Sequence, residues 1–214
     1  MAVMQVAIEG LSPLLMKSAA SMIPTEEPAT KPKAKGPSPK QEGPSIAERL
    51  EASCYRLPNG DLGFPGTAPQ RLIFDAAKGL KFRENPVPGG KEPKQRKTGA
   101  QTDLKGLYLV EPLDLIRLLR KGKAIRIYER DVRPVVNKTT KGRIVEYRPK
   151  IGLPWRMEFQ ILLQMQFSPI LNLADQIIAL LDHGGTSIGI GSFRPQCQGW
   201  FGKFKVAEWA IVEE

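Results

Sequence analysis

Trp155-Arg-Met-Glu-Phe-Gln-Ile-Leu-Leu-Gln-Met-Gln-Phe167 decides the fold class. Trp155, Met157, Phe159, Ile161, Leu163, Met165 and Phe167 fall on one parity; Arg156, Glu158, Gln160, Gln164 and Gln166 fall on the other, with Leu162 the exception. A period of two over that length requires a strand buried on one side. The same alternation opens the chain, where Met4, Val6 and Ile8 oppose Gln5, Ala7 and Glu9 up to Gly10 and the Ser12-Pro13 breaker.

Between these strands the signals are mostly helical. Ser45-Ile-Ala-Glu48 has the spacing of a capping box and predicts a short helix to about Tyr55, followed by a turn at Leu57-Pro-Asn-Gly-Asp61. A second helix is expected with Thr67 as N-cap, Pro69 in its first turn and an apolar face of Leu72, Ile73, Ala76, Ala77 and Leu80. Leu104 to Leu119 is apolar but mixes both periods, so strand and helix both stay open. Ala124 to Arg130 reads as a strand. The chain then passes Val132 to Val136 and a polar loop, Asn137 to Arg143, and returns through Ile144 to Arg148. Leu171 to Leu181 fits a helix stopped at Gly184-Gly185, and a last strand is expected over about Trp200 to Val212. The order is strand, helix, two strands, helix, strand. It matches a β-α-β-β-α-β unit, so the expectation is one α+β, ferredoxin-like (RRM-like) domain over 1–214 without internal repeats. RNA-recognition domains use this arrangement, with the sheet face or its loops meeting nucleic acid. Two stretches fall outside it: a flexible Pro/Lys-rich loop at 24–44, and an insertion at 85–150 that carries a basic hairpin.

Charge points to a partner. The chain of 214 residues carries 32 Lys and Arg against 22 Asp and Glu, a net +10. Residues 120–150 hold eleven basic residues and three acids, so +8 of that surplus lies in one stretch. A surplus so concentrated attracts polyanions through counterion release. Arg126, Arg130, Arg133, Lys138, Lys141, Arg143 and Arg148 are the candidate phosphate contacts, and Tyr128, Tyr147 and Trp155 the candidate stacking faces. A second candidate element is Gly189-Ile-Gly191-Ser-Phe-Arg194-Pro-Gln-Cys-Gln-Gly199-Trp-Phe-Gly202-Lys203-Phe204. Glycines there permit tight turns and close approach to a phosphate, Arg194 and Lys203 add charge, and Phe193 and Trp200 offer rings. A tight loop feeding a strand, with its aromatics in the core, is the structural alternative.

That loop, placed between the last helix and the last strand, resembles the C-terminal glycine-rich loop of the repeat-associated mysterious proteins (RAMPs), the RNA-binding proteins of CRISPR systems. Within that superfamily Val6-Ala-Ile-Glu-Gly-Leu-Ser-Pro-Leu-Leu-Met16 is similar to the first strand of the backbone subunit, which polymerises along a guide RNA. The basic mid-chain excursion is similar to that subunit's palm-and-thumb insertions, and small phage-encoded relatives look alike too. The resemblance spans the first 20 residues and the last 90. The loop exceeds the family's tighter G-x-G-x-x-x-x-G-x-G form by Pro195-Gln-Cys-Gln198. It implies binding of single-stranded nucleic acid without catalysis, self-association along the strand, and effector-complex subunits as partners.

Alternatives remain open. A phage protein of this kind coats or anneals single-stranded DNA, and nothing local separates RNA from DNA. RAMP endoribonucleases use a histidine, and the only one here is His183, at an expected helix end where it serves the last carbonyls more simply. Asp131, the candidate for target cleavage, has Arg130 and Arg133 beside it. Two cysteines, Cys54 and Cys197, give no disulfide framework or zinc site. Without a phosphate-binding G-x-x-x-x-G-K-[ST] loop no nucleotide use is indicated, so no cofactor is expected. No apolar run is long enough for a membrane span, and the start of the chain lacks a secretory pattern, so a cytoplasmic setting is the default.

Overall fold

The structure is a computed structural model that describes residues 2–18, 45–78, 104, 106–136, 142–164 and 170–212. The strands are β1 (Ala2–Gly10), β2 (Leu14–Leu15), β3 (Gly63–Pro65), β4 (Tyr108–Glu111), β5 (Leu115–Arg120), β6 (Lys123–Ala124), β7 (Glu129–Val136), β8 (Arg143–Ile151), β9 (Arg156–Leu163) and β10 (Phe204–Val212). The helices are α1 (Ile46–Ala52), α2 (Thr67–Ala76) and α3 (Ile170–Ser187). The molecule is α+β. Its main sheet is antiparallel in the order β10-β1-β9-β5-β3, with β4 also on β9 and β6 on β5; a second sheet runs β2-β8-β7.

Register explains the core. Met4, Val6 and Ile8 stand opposite Ile161, Phe159 and Met157, so the apolar parities of β1 and β9 join into one face. α2 and α3 pack on each other beneath it, burying Leu72, Ile73, Leu173, Ala174, Ile177 and Leu181. α1 starts as its sequence requires: Ser45 Oγ accepts from the Glu48 amide at 3.2 Å, and the Glu48 carboxylate accepts from the Ser45 amide at 2.7 Å.

Several expectations change. Within the apolar stretch whose period was ambiguous, Tyr108–Glu111 and Leu115–Arg120 are strands β4 and β5 of the main sheet, whereas β7 and β8 pair in the second sheet. The strand expected over 124–130 begins at Glu129 instead. Ile125 is buried and accepts from the Leu62 amide, whereas Ile127 is 83% exposed, so their shared parity is broken. Gly66, not Thr67, caps α2, because a Cβ there would lie 1.8 Å from the Pro112 carbonyl oxygen. α3 runs through Gly184-Gly185. A Cβ on Gly184 would sit 2.5 Å from Leu72, and one on Gly185 2.5 Å from the Phe204 carbonyl oxygen. The pair lets α3 press against α2 and β10, which offsets the helix penalty of about 1 kcal/mol per glycine. β10 starts at Phe204 rather than at Trp200. Trp155 belongs to the core and is unavailable for base stacking: it is 1% exposed, covers Gly10, and donates from Nε1 to the Ser12 carbonyl at 2.8 Å. The 24–44 loop, Met165, Phe167, Lys138 and Lys141 lie outside the described residues.

Candidate nucleic-acid interface

β7 and β8 form a hairpin whose two faces differ. In register, Asp131 stands opposite Arg148 and Arg133 opposite Glu146, so these four share the side turned to the body. There Arg133 donates to Asp131 from Nε (2.6 Å) and Nη2 (3.1 Å), Arg148 donates to Glu146, Lys17 pairs with Glu146, and Lys150 with Glu129. Burial pushes the Glu146 carboxyl up, but the hydrogen bond from Lys17 and the charge of Arg148 outweigh it and hold it below its ordinary value. All three acids of residues 120–150 are thus matched by cations.

The body side of the hairpin also grips the glycine-rich loop. The Arg148 guanidinium lies 4.1 Å from the Phe193 ring centroid, and that of Arg133 lies 5.7 Å from Phe193 and 4.2 Å from Phe201. Contacts of this kind contribute about 0.5–2 kcal/mol each. Arg148 is 8% exposed, and its Nε and Nη1 have no hydrogen-bond partner among the described residues. It is therefore a clamp between hairpin and loop, not an open phosphate contact. The opposite face carries Arg130, 5.9 Å above the Tyr147 ring, and Arg143, which has no partner among the described residues. Val132, Val136 and Val145 are exposed around them.

In the loop itself the glycines face protein. Gly189, Gly191 and Gly202 have φ of +68°, +78° and +65°; a Cβ on Gly202 would lie 1.8 Å from the Ile190 carbonyl oxygen, and one on Gly199 1.7 Å from that of Phe193. Close approach is thus to the loop's own backbone. Arg194 donates to Gln196, the Lys203 amide donates to Ser12 Oγ at 2.9 Å, and Trp200 stays half-exposed against Phe201.

The uncovered face of the main sheet has the opposite character. Arg156 bonds Glu9 (3.1 Å), Glu158 (2.8 Å) and Glu208 (2.8 Å). Glu158 and Glu208, with Glu111, border a shallow groove of about 1010 Å³, lined also by Gln5, Gln160, Pro112 and Leu113. Sequence reasoning did not separate this face from the hairpin, because Glu158 and Gln160 read only as the polar parity of β9. Arg126 is not on the hairpin either: it donates to Asp61 at 2.8 Å.

His183 lies within α3, where its carbonyl accepts from the Thr186 and Ser187 hydroxyls. Asp131 is held by Arg133. Burial, and then the charge of Glu51, pushes the Cys54 thiol up to about 12, whereas Cys197 is exposed. Among the described residues no group of three or more His, Cys, Asp or Glu is placed to hold a metal, and no helix is long and apolar enough to cross a membrane.

No family model and no curated protein sequence matches the chain. Solved structures do. A chain of the Type III-B Cmr-beta bound to cognate target RNA matches with a TM-score of 0.57 and 9% identity, over 99% of this chain and 61% of that one. A chain of a Type IV-B CRISPR complex matches with a TM-score of 0.45 and 10% identity, over 98% and 90%. This protein thus spans about three-fifths of the first neighbour's length, and what the two share is a fold.

Proposed function

We propose that the chain binds single-stranded nucleic acid, RNA foremost, without catalysis and largely without regard to sequence, as a protomer that associates with others along the strand and with effector-complex subunits. The carrying observation is the segregation of charge. The acids of the hairpin region are all consumed by pairs on its body side, which leaves Arg130 and Arg143 outward, while on the open sheet face carboxylates outnumber the cations beside them. A phosphodiester chain meets attraction at the hairpin and repulsion over the groove. The strand path therefore follows hairpin and loops rather than the sheet face that RNA-recognition domains use. The strand order β10-β1-β9-β5, with α2 and α3 on one face, supports a ferredoxin-like core. The fold likeness to a chain of a complex bound to target RNA favours RNA as the polymer.

The test is binding of the purified protein to labelled single-stranded RNA, single-stranded DNA and duplex DNA across a salt series, with complex size followed by light scattering. RNA preference with multimers that lengthen with the strand is expected. Equal or tighter binding of single-stranded DNA would replace the reading with a DNA-coating role, and no binding at low salt would end it.

A further inference from the structure

At the edge of the main sheet remote from β10, the Asn59-Gly60-Asp61 turn holds a carboxylate that is almost fully enclosed: the Asp61 side chain is 4% exposed. The turn is rigid. The Asp61 amide donates to Asn59 Oδ1 at 3.1 Å, Asn59 Nδ2 donates to Asp61 Oδ2 at 2.7 Å, and the Leu57 amide donates to the Asp61 carbonyl. Two arginines from different segments converge on this one acid. Arg126 presents Nε to Oδ1 at 2.8 Å, and Arg117 of β5 brings Nε to 3.4 Å from Oδ2. Both side chains are otherwise open, at 68% and 52% exposure. Neither has a further partner for its terminal nitrogens among the described residues. Arg56 closes the rim, donating to the Gly60 and Arg126 carbonyls while it pairs with Glu51.

A buried carboxylate that engages the inner nitrogen of each arginine leaves the outer ends of two guanidinium forks pointing to solvent. One acid against two cations leaves a net positive charge, held in place before any ligand arrives. A fixed fork suits a tetrahedral phosphate, because it supplies paired donors without the ordering cost that a free arginine bears. We propose that Arg117 and Arg126, positioned by Asp61, form a second phosphate-binding site, and that its ligand is a phosphodiester of the bound strand. The assignment rests on the nucleic-acid-binding reading and extends it: the strand is held at this turn as well as at the hairpin. Asp61 is a positioning residue and touches no ligand.

The test uses the full chain and a labelled oligouridylate of about twelve nucleotides, within the span one nucleic-acid-binding domain covers. Arg117→Gln and Arg126→Gln are each expected to weaken binding by about tenfold. Each should also lower the slope of log affinity against log salt by about 0.7, the value for one single-strand phosphate. Because both arginines hold the same phosphate, the double variant should lower the slope by that one unit of change and no more. Asp61→Asn gives the sharper readout. It removes a negative charge, so a general field would tighten binding, whereas loss of the anchor weakens it. Circular dichroism of each variant reports folding, and if Asp61→Asn does not fold the two arginine variants decide. Unchanged affinity and slope in Arg117→Gln, or tighter binding in folded Asp61→Asn, overturns the site while leaving nucleic-acid binding intact. Should the wild type bind no nucleic acid, inorganic phosphate followed at the Asn59–Leu62 amides decides the matter. Saturable shifts lost in Arg117→Gln would sustain the site for free phosphate, and their absence would remove it.

Discussion

On the open face of the main sheet a single guanidinium, that of Arg156, gathers the carboxylates of Glu9, Glu158 and Glu208. On the hairpin the carboxylates of Glu129, Asp131 and Glu146 are each met by cations of their own, and Arg130 and Arg143 are left over. Both regions are rich in ion pairs, so a count of salt bridges would not tell them apart. The ratio of partners does. Four acids on this face, Glu9, Glu111, Glu158 and Glu208, outnumber Arg156 and Lys205, the lysine that stands opposite Glu9, and that excess makes a surface that repels polyanions. A surplus of cations over acids makes one that attracts them. Surface pairs add little stability in either place; what they set is the sign of the local field.

The strongest way to break this contrast is to remove the loop against which the hairpin rests. Gly202→Ala places a side chain at φ +65° and against the Ile190 carbonyl, and should cost about 3 kcal/mol or more in urea unfolding. A loss below 1 kcal/mol would mean that the loop relaxes and the clamp is not rigid. Next comes the buried guanidinium. Arg148→Ala leaves Phe193 uncovered and should lose about 2–3 kcal/mol, whereas Arg148→Met keeps the contact, removes two unsatisfied donors, and should lie within about 1 kcal/mol of wild type. Equal losses in the two variants would show that charge, not packing, holds the hairpin.

The outer face is tested by Arg130→Ala with Arg143→Ala. That pair should weaken RNA binding by about ten- to a hundredfold and lower the salt slope by about 1.4, with folding intact. A smaller effect follows from acid. The Glu146 carboxyl has a folded pKa below its unfolded value near 4.5, so its contribution is complete above that pH and is lost as pH falls through the folded value. Thermal midpoints of the wild type should therefore drop on acidification below about pH 4.5 more steeply than those of Glu146→Gln. The smallest effect belongs to the sheet face. Glu158→Gln with Glu208→Gln should leave the melting midpoint within about two degrees and RNA affinity equal or slightly higher. Weaker RNA binding in that variant would place the strand in the groove after all.

Local, periodic features were readable in the sequence. The parity of β1 and β9, the Ser45–Glu48 capping box and the turn at Asn59-Gly60 depend on neighbours within a few residues, and each stands where its pattern put it except Ala7, which is buried although it falls on the polar parity of β1. Features that depend on a distant contact were not. Gly184-Gly185 looks like a stop until Leu72 and Phe204 are known to press on it, and Ile125 shares its parity with Ile127 although only one of them meets Leu62. Arg148 and Arg143 are the same residue type in one basic run. Register with Asp131 and the nearness of Phe193 bury the first, and nothing local to the chain says so. Arg117 escaped notice because it interrupts an apolar stretch whose period was ambiguous.

β1 lies between β9 and β10, and its ladder partners are residues 156–163 and 204–212. Neither flank can form until some 150 and then 200 residues of later chain have been synthesised. During translation the strand is an apolar ribbon with both edges open, which invites capture by chaperones or by other strands. Closure over such separations also carries a large loop entropy, so folding should be slow for a chain of this size.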